Sequence, residues 1–410
     1  MANILVLESA EAPFFTSKFH RMKELGHTIY VVREGIQINE DIDMLVDKII
    51  PVRVHNFENV ENSVSEIINM TKDLNVEGVL TRWDACIPVL SKLSEKLGIE
   101  TIPYRVANIL RCKSTMREAF KEWNLPSAKF GTATTLEQAQ DIATHVGFPL
   151  ILKPTLGYGS WGVVKVNTIE ELEVEFDKIR RLSIENFNSK EILVEEYLDG
   201  IELIIDSIIH DGEIIYTNVI EKPKPMTGTN GFAEIEFITP PIFTNDELKA
   251  IEKINKDLNL RLGMKNAISH VEMRLTSDGP KLLEINPRLP GAKNIDIAKI
   301  VTGVDLELAS IELSYGKRPE THKIQNGYAG FRIITPNKPG ELVSVKGIES
   351  SKNIPGVVEV SIMKPLGQRV LQLPYEIQDF LGFIVVKGDS RGQVLDTLDK
   401  VEKNLEIEIV

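Results

Sequence analysis

The stretch HVEMRLTSDGPKLLEINPR, His270 to Arg288, concentrates side chains able to do chemistry. Two runs of alternation, ISHVEMRL and KLLEIN, flank Thr276-Ser277-Asp278-Gly279-Pro280, and alternation around an Asp-Gly turn predicts a β-hairpin. Period two puts His270, Glu272 and Arg274 on one face and Val271, Met273 and Leu275 on the other. In the second strand it groups Leu282 with Glu284 and Asn286, and Leu283 with Ile285. A hairpin centred near Asp278 sets Glu272 opposite Glu284, with Cβ atoms roughly 4.5–5.5 Å apart. Facing carboxylates repel unless a cation lies between them, and two carboxylates with the amide oxygen of Asn286 suit Mg²⁺. Any one of these glutamates alone would be a solvated side chain on an exposed face. The pair, with Asn286 and Arg288 on the same strand, is read as a metal cradle.

A second constellation lies upstream. Pro149 to Pro154 predicts a short strand and Val163 to Val166 another, and between them Thr155 to Gly162 is glycine-rich. Gly157, Gly159 and Gly162 match GxGxxG, but a strand follows where a dinucleotide fold needs a helix, so that reading fails. What remains is a loop, including Ser160, whose small residues let backbone amides approach a phosphate chain, with Lys153 as a point charge beside it. An ordinary glycine-rich hairpin is the plainer alternative. Further on, Glu191 to Tyr197 predicts a strand ending in EEYLDG, and Ile201 to Ile209 an apolar run carrying Glu202 and Asp206.

The elements that must position these groups fall into successive regions. Asn3 to Leu7, Thr28 to Val32 and Val76 to Leu80 predict buried strands alternating with helices, which argues for a parallel sheet covered on both faces over residues 1–105. Thr81-Arg82-Trp83-Asp84 and Glu8-Ser9-Ala10 follow strand ends, where open α/β sheets bind ligands, although plain loops also occur there. From residue 106 the pattern becomes α+β. Capping-box patterns at Thr134 to Glu137, Thr168 to Glu171 and Thr244 to Glu247 open helices. From about Glu320, runs at Gly330 to Thr335, Val357 to Met363 and Gly382 to Lys387 predict a β-rich region closed by a helix near Gln393 to Lys403.

Composition bounds the partners. With 60 Asp plus Glu against 47 Lys plus Arg, the net charge is -13, a field that repels nucleic acid. The two cysteines, Cys86 and Cys112, have no CxxC neighbour, so a disulfide framework or zinc site is not expected and a reducing cytoplasm fits. The apolar run Ile4 to Leu7 is too short for a signal sequence, and no stretch approaches the ~18 apolar residues of a membrane span.

The lysine and glycine loop FPLILKPTLGYGSWGVVKV, the hinge EEYLDGIE and the strands HVEMRL and LLEINPR stand in the order found in ATP-grasp enzymes, which the chain resembles over about residues 106–315. The resemblance implies α/β plus α+β architecture. An N-terminal parallel-sheet domain spans 1–105, a central ATP-grasp domain of two α+β subdomains 106–315, and a C-terminal β-rich domain 316–410. It implies that Lys113 and Lys153 contact ATP phosphates, and that Glu195, Tyr197 and Leu198 form the adenine hinge. By the same resemblance Glu202 holds the ribose hydroxyls, Glu272, Glu284 and Asn286 bind Mg²⁺, with two ions expected and Mn²⁺ as the alternative, and Arg288 is catalytic.

Within the superfamily the chain is most similar to L-amino-acid ligases, dipeptide synthetases of the bacilysin synthetase type, whose HxE and ExNxR strands appear as His270–Glu272 and Glu284–Arg288. After Arg288 it reads Leu289-Pro290-Gly291-Ala292-Lys293, so the family's specificity pocket does not map directly. The implied reaction joins two L-amino acids through an acyl phosphate, releasing ADP and phosphate. Arg288 would hold the oxyanion, and His270 would orient a carboxylate, relay a proton or act as a structural hydrogen-bonder. A ligase or carboxylase for another metabolite, or an inactive nucleotide-binding protein, are the alternatives. Small-molecule amino-acid substrates are the expected partners, and a homodimer is compatible. The loop Glu221 to Pro241 has the composition of a lid, and Leu366 to Gln368 with Asp379 to Gly382 could reach the active-site mouth.

Overall fold

Four short apolar strands near the N-terminus form a parallel sheet: β1 (Asn3–Leu7), β2 (Thr28–Arg33), β3 (Lys48–Pro51) and β4 (Gly78–Thr81), in the order β3-β2-β1-β4. The computed structural model describes residues 1–8, 16–35, 40–54, 59–157, 159, 161–225, 234–371 and 380–410. Both faces of this sheet are covered, as continuous apolar strands require. Leu5, Leu7, Val32 and Ile50 pack against α3 (Val60–Thr71) and α4 (Ile87–Leu97), while Ile4, Val6, Ile29 and Val31 pack against α1 (Ser17–Glu24). The short α2 (Glu40–Asp43) completes the region. Pro88 opens α4, and Gly98, at φ 72°, ends it by supplying the left-handed conformation that a side chain disfavours.

Two helices, α5 (Tyr104–Arg111) and α6 (Lys113–Glu122), lead to a small antiparallel sheet ordered β5-β8-β6-β7. Its strands are β5 (Phe130–Ala133), β6 (Leu150–Pro154), β7 (Val164–Val166) and β8 (Ile192–Glu196). One face buries Leu150, Leu152, Ile192 and Val194 against α7 (Leu136–Val146) and α8 (Ile169–Phe187). The opposite face carries Lys153 and Glu195. The N-cap of α7 is Thr135 rather than Thr134, since Thr135 accepts from Gln138 while Thr134 donates to the Gln138 side chain. At α8 Thr168 caps as expected, but Glu171 reaches back to Asn167.

The main sheet has the order β13-β12-β9-β10-β11-β14-β18-β16, with every neighbouring pair antiparallel. Its first strands are β9 (Ile201–His210), β10 (Glu213–Pro225), β11 (Glu234–Thr239), β12 (Ala267–Thr276) and β13 (Gly279–Asn286). Both halves of the capping box at Thr244 and Glu247 open α9 (Asn245–Leu262). That helix covers Leu203, Ile205, Val271, Met273 and Ile285 on one face. On the other face α10 (Asn294–Thr302) and α11 (Leu306–Ser314) pack on Ile204, Ile208 and Ile268.

The C-terminal strands β14 (Tyr328–Ile334), β16 (Val357–Ile362) and β18 (Gly382–Gly388) continue this same sheet. A three-stranded sheet is made by β15 (Gly340–Lys346), β17 (Arg369–Val370) and β19 (Glu406–Ile409), and α12 (Ile348–Lys352) and α13 (Arg391–Asn404) complete the region. The segment Glu221 to Pro241 contributes β10 and β11, with 226–233 outside the described residues, as is Asp379. Among the described residues no helix is long and apolar enough to cross a membrane.

Candidate active site

On the face of the main sheet opposite α9, strand register lines up a grid of polar side chains. Glu202 on β9 is flanked by Lys222 on β10 and Arg274 on β12. Two residues along, Ile204 pairs with Glu272, which pairs with Glu284; two further, Asp206 pairs with His270, which pairs with Asn286. Residues two apart in a strand share a face, so these rows line up. The facing of Glu272 and Glu284 is the one the hairpin pattern predicts. One detail differs: the ladder shifts between Glu272 and Met273, and Met273 pairs with Leu282. Leu283 is therefore the extra residue of a bulge, and Leu282 joins the core instead of the Glu284 face.

Repulsion between the two carboxylates is relieved by cations on either side. Lys222 Nζ lies 3.4 Å from Glu272 and 3.0 Å from Glu202. Lys113 Nζ lies 3.2 Å from Glu284 and donates to the Gly157 carbonyl at 2.8 Å. Asn286 donates to Glu284 at 3.4 Å. Burial pushes the Glu272 carboxyl up, but Lys222 and His270 more than offset this and hold it well below the usual range. His270 is itself held by the fully buried Asp206 through Nδ1 at 2.7 Å, with Nε2 3.5 Å from Glu272. Burial works against its charge, yet Asp206 and Glu272 raise the imidazolium pKa to about 9.

Among the described residues no group of three or more His, Cys, Asp or Glu gathers as a metal site. Two carboxylates with an amide nonetheless fit Mg²⁺, which keeps several waters and binds one or two carboxylates together with substrate phosphates. The two lysines standing on these carboxylates mark where the site calls for positive charge.

The small sheet brings an ion pair to the same region, joined by a cation from α6. Lys153 and Glu195 share a face, with Nζ 2.5 Å from Oε1, and Arg117 Nε reaches Oε2 at 2.9 Å. Burial pulls the Lys153 ammonium below its ordinary value, opposed by Glu195 and reinforced by Arg117. The Glu195 side chain is thus turned to the lysine, with both oxygens engaged. Tyr197 lies between two cations, Lys165 at 3.7 Å and Arg274 at 5.4 Å from the ring centre, and Arg274 also donates to the Leu198 carbonyl at 2.9 Å. Gly200, at φ 147°, has backbone of Leu275 where a Cβ would lie, so the turn into β9 admits only glycine. In the glycine loop Gly157, Gly159 and Gly162 all have positive φ, and Trp161 packs edge-on against Phe187 at 5.5 Å. Ser160 lies outside the described residues.

Arg288 follows β13 and turns to the parallel-sheet region, where Asp84 accepts from Nε at 2.7 Å and from Nη2 at 2.8 Å. Burial disfavours its charge, but Asp84, then Glu284 and Glu272, raise the guanidinium pKa above its ordinary value. Beside it Arg82 bonds Glu307 at 3.2 Å, and Trp83 donates to Glu8 at 2.9 Å. Residues past the ends of β1 and β4, the switch point of the parallel sheet, therefore border the arginine.

The structure thus brings Lys113, Lys153, Glu195, Glu202, His270, Glu272, Glu284, Asn286 and Arg288 into linked polar clusters. Sequence reasoning missed Arg117, Lys222 and the tie between Asp206 and His270. For Lys222 and Asp206 a signal existed, since both alternate in phase with Glu202 on paired strands; Arg117 is a charge within an amphipathic helix and carried none.

Comparison with known proteins places this geometry. An ATP-grasp domain matches residues 146–296, and L-amino acid ligase C-terminal domain 2 matches 332–410. The chain carries an ATP-grasp domain. This ATP-grasp chain is 30% identical over 283 residues to alanine–anticapsin ligase of Bacillus amyloliquefaciens, covering 64% of this chain and 59% of that protein. The match therefore spans less than two thirds of the relative's length. The fold is that of an L-amino acid ligase from Bacillus licheniformis, with TM-score 0.84, 21% identity and coverage of 100% and 99%. It is also shared with the biotin carboxylase domain of Hydrogenobacter thermophilus 2-oxoglutarate carboxylase, solved with ADP magnesium salt and bicarbonate, at TM-score 0.74, 17% identity and coverage of 100% and 91%.

Proposed function

We propose that this ATP-grasp chain is an ATP-dependent carboxylate–amine ligase that joins two L-amino acids through an acyl phosphate. The observation that carries the reading is the convergence of phosphate cations from the small sheet, facing carboxylates from the main sheet, and an arginine held across to the parallel sheet. A carboxylate is a poor acceptor because its leaving group would be oxide. Its oxygen therefore attacks the terminal phosphorus of ATP, ADP leaves, and the acyl phosphate accepts the amine. The tetrahedral adduct then gives up a proton from the attacking nitrogen to solvent and expels phosphate, and the amide remains.

Lys113 and Lys153 hold phosphate oxygens in this account, and Glu202 the ribose hydroxyls. Glu272, Glu284 and Asn286 hold Mg²⁺, which neutralises phosphate charge when bound. Arg288, its fork fixed by Asp84, offers the remaining N–H groups of Nη1 and Nη2 to the transferred phosphoryl group and then to the oxyanion. His270, whose Nδ1 is tied to the buried Asp206 and whose Nε2 faces Glu272, is placed to orient a carboxylate.

The relatives support the substrate class, through the similarity to alanine–anticapsin ligase and the match to an L-amino acid ligase C-terminal domain. The test is a pairwise amino-acid screen for ADP and phosphate release, followed by mass spectrometry of the products. Release that depends on two amino acids and yields a dipeptide is expected. Release with bicarbonate or another carboxylate alone would instead assign a carboxylase or a different ligase.

A further inference from the structure

Lys113 and Arg117 lie one turn apart on α6, and they reach neighbouring residues of the metal strand. Lys113 takes the Glu284 carboxylate, and Arg117 Nη1 donates to the Leu283 carbonyl at 2.6 Å. Leu283 is the bulge residue of β13, an edge strand, and its carbonyl accepts from Arg117 rather than from a neighbouring strand. The Nε of Arg117 meanwhile donates to Glu195 at 2.9 Å, while the other oxygen of that carboxylate holds Lys153. Arg117 is fully buried, and its Nη2 has no hydrogen-bond partner among the described residues.

Two buried cations sharing one carboxylate leave an excess positive charge away from water. Such an excess is costly unless an anion comes to it. A one-to-one pair of Lys153 with Glu195 would be neutral, with its field directed inward. A second cation on the same carboxylate satisfies Glu195 and leaves the lysine charge available to a ligand.

We propose that Arg117 is a positioning residue of the nucleotide site: it neutralises Glu195 from behind so that Lys153 acts on a phosphate, and it fixes the bulge that aims Glu284. This rests on the nucleotide reading above. Arg117 touches neither substrate nor the reacting atoms. It joins the small sheet, which carries the phosphate lysine, to the metal strand of the main sheet.

The experiment is calorimetric titration of the full chain with ADP in EDTA, so that no metal contributes. Arg117→Met keeps most of the side-chain volume and leaves Glu195 and Lys153 as a neutral pair. It is expected to weaken ADP binding by about tenfold, the scale of one lost charge at a screened phosphate site. Arg117→Lys restores the charge and recovers most of the affinity. The decisive variant is Arg117→Met with Glu195→Gln, which removes the carboxylate that would otherwise consume Lys153 and restores affinity. A merely structural arginine predicts the opposite, a double variant that binds no better than Arg117→Met, and that result overturns the proposal. So does unchanged affinity in Arg117→Met. If Arg117→Met does not fold, Arg117→Gln, which keeps a donor for the Leu283 carbonyl but carries no charge, decides: weaker ADP binding supports the proposal and unchanged affinity overturns it. Wild type that binds no ADP would instead sink the nucleotide reading itself.

Discussion

Asp84 grips Arg288 with both carboxylate oxygens, at 2.7 Å and 2.8 Å, and the two residues follow strands of different sheets. Asp84 follows the last strand of the parallel sheet, and Arg288 the last strand before α10. A planar guanidinium held by two parallel bonds has one orientation, which a single contact would not impose. The third nitrogen donates to the Leu289 carbonyl at 2.8 Å, so the fork is fixed on every side.

Asp84→Asn keeps the shape but loses the charge and one of the two acceptors. Turnover is expected to fall by at least about tenfold, ~1.4 kcal/mol of barrier, with the ATP KM nearly unchanged because Arg288 engages the phosphoryl group as it transfers rather than the ground-state nucleotide. Steady-state kinetics at saturating amino acids checks this. A higher ATP KM at constant kcat would move Asp84 into nucleotide binding.

Glu284→Gln removes one formal charge from the facing pair and frees Lys113 from its counter-ion. Turnover is expected to vanish, while the hairpin, with less repulsion, stays folded. Circular dichroism and a magnesium titration of activity read the two halves separately. Near wild-type rates in excess magnesium would remove Glu284 from the cradle.

Glu202→Ala is expected to raise the ATP KM more than it lowers kcat, since a ribose contact is made equally in ground and transition states. It also takes the shared acceptor from Lys222 and Arg274, and a cost of about 1–3 kcal/mol in stability is expected for buried donors losing a partner. Collapse of kcat at constant KM would place Glu202 in the chemistry instead.

Much of the site was legible because it lies on strands, where period two fixes which side chains share a face. Glu272 and Glu284 follow from alternation and one turn. The bulge at Leu283 was not legible, because an extra residue leaves the apolar pattern KLLEIN intact while moving Leu282 to the core. Arg117 was hidden for a different reason: its role arises from two long-range contacts, to Glu195 and Leu283, that no local spacing encodes. The continuation of the main sheet through β14, β18 and β16 was also invisible, since strand order is a property of non-local pairing. The chain-order motifs carried the superfamily; the cross-sheet pair Asp84–Arg288 needed the fold.

That continuous sheet has a mechanical consequence. Arg332 on β14 is buried and bonds Glu236 on β11, with Asp399 and Glu402 of α13 on its outer side. Arg332→Met strands Glu236, which is buried, without its cation, and a loss of about 3–5 kcal/mol is expected. Denaturant unfolding followed by fluorescence and by circular dichroism should show one earlier, coincident transition. Two separated transitions with the first alone shifted would show that the C-terminal strands unfold as an independent unit.

The central claim, that a carboxylate oxygen attacks ATP before the amine arrives, is tested most directly by isotope transfer. The amino acid that supplies the carboxylate is labelled with oxygen-18 in that group, and the phosphate released during amide formation is analysed by mass spectrometry. An acyl phosphate keeps the bridging carboxyl oxygen on phosphorus when the amine displaces it, so a single labelled oxygen in each phosphate is predicted. Unlabelled phosphate released in step with amide product would contradict the mechanism.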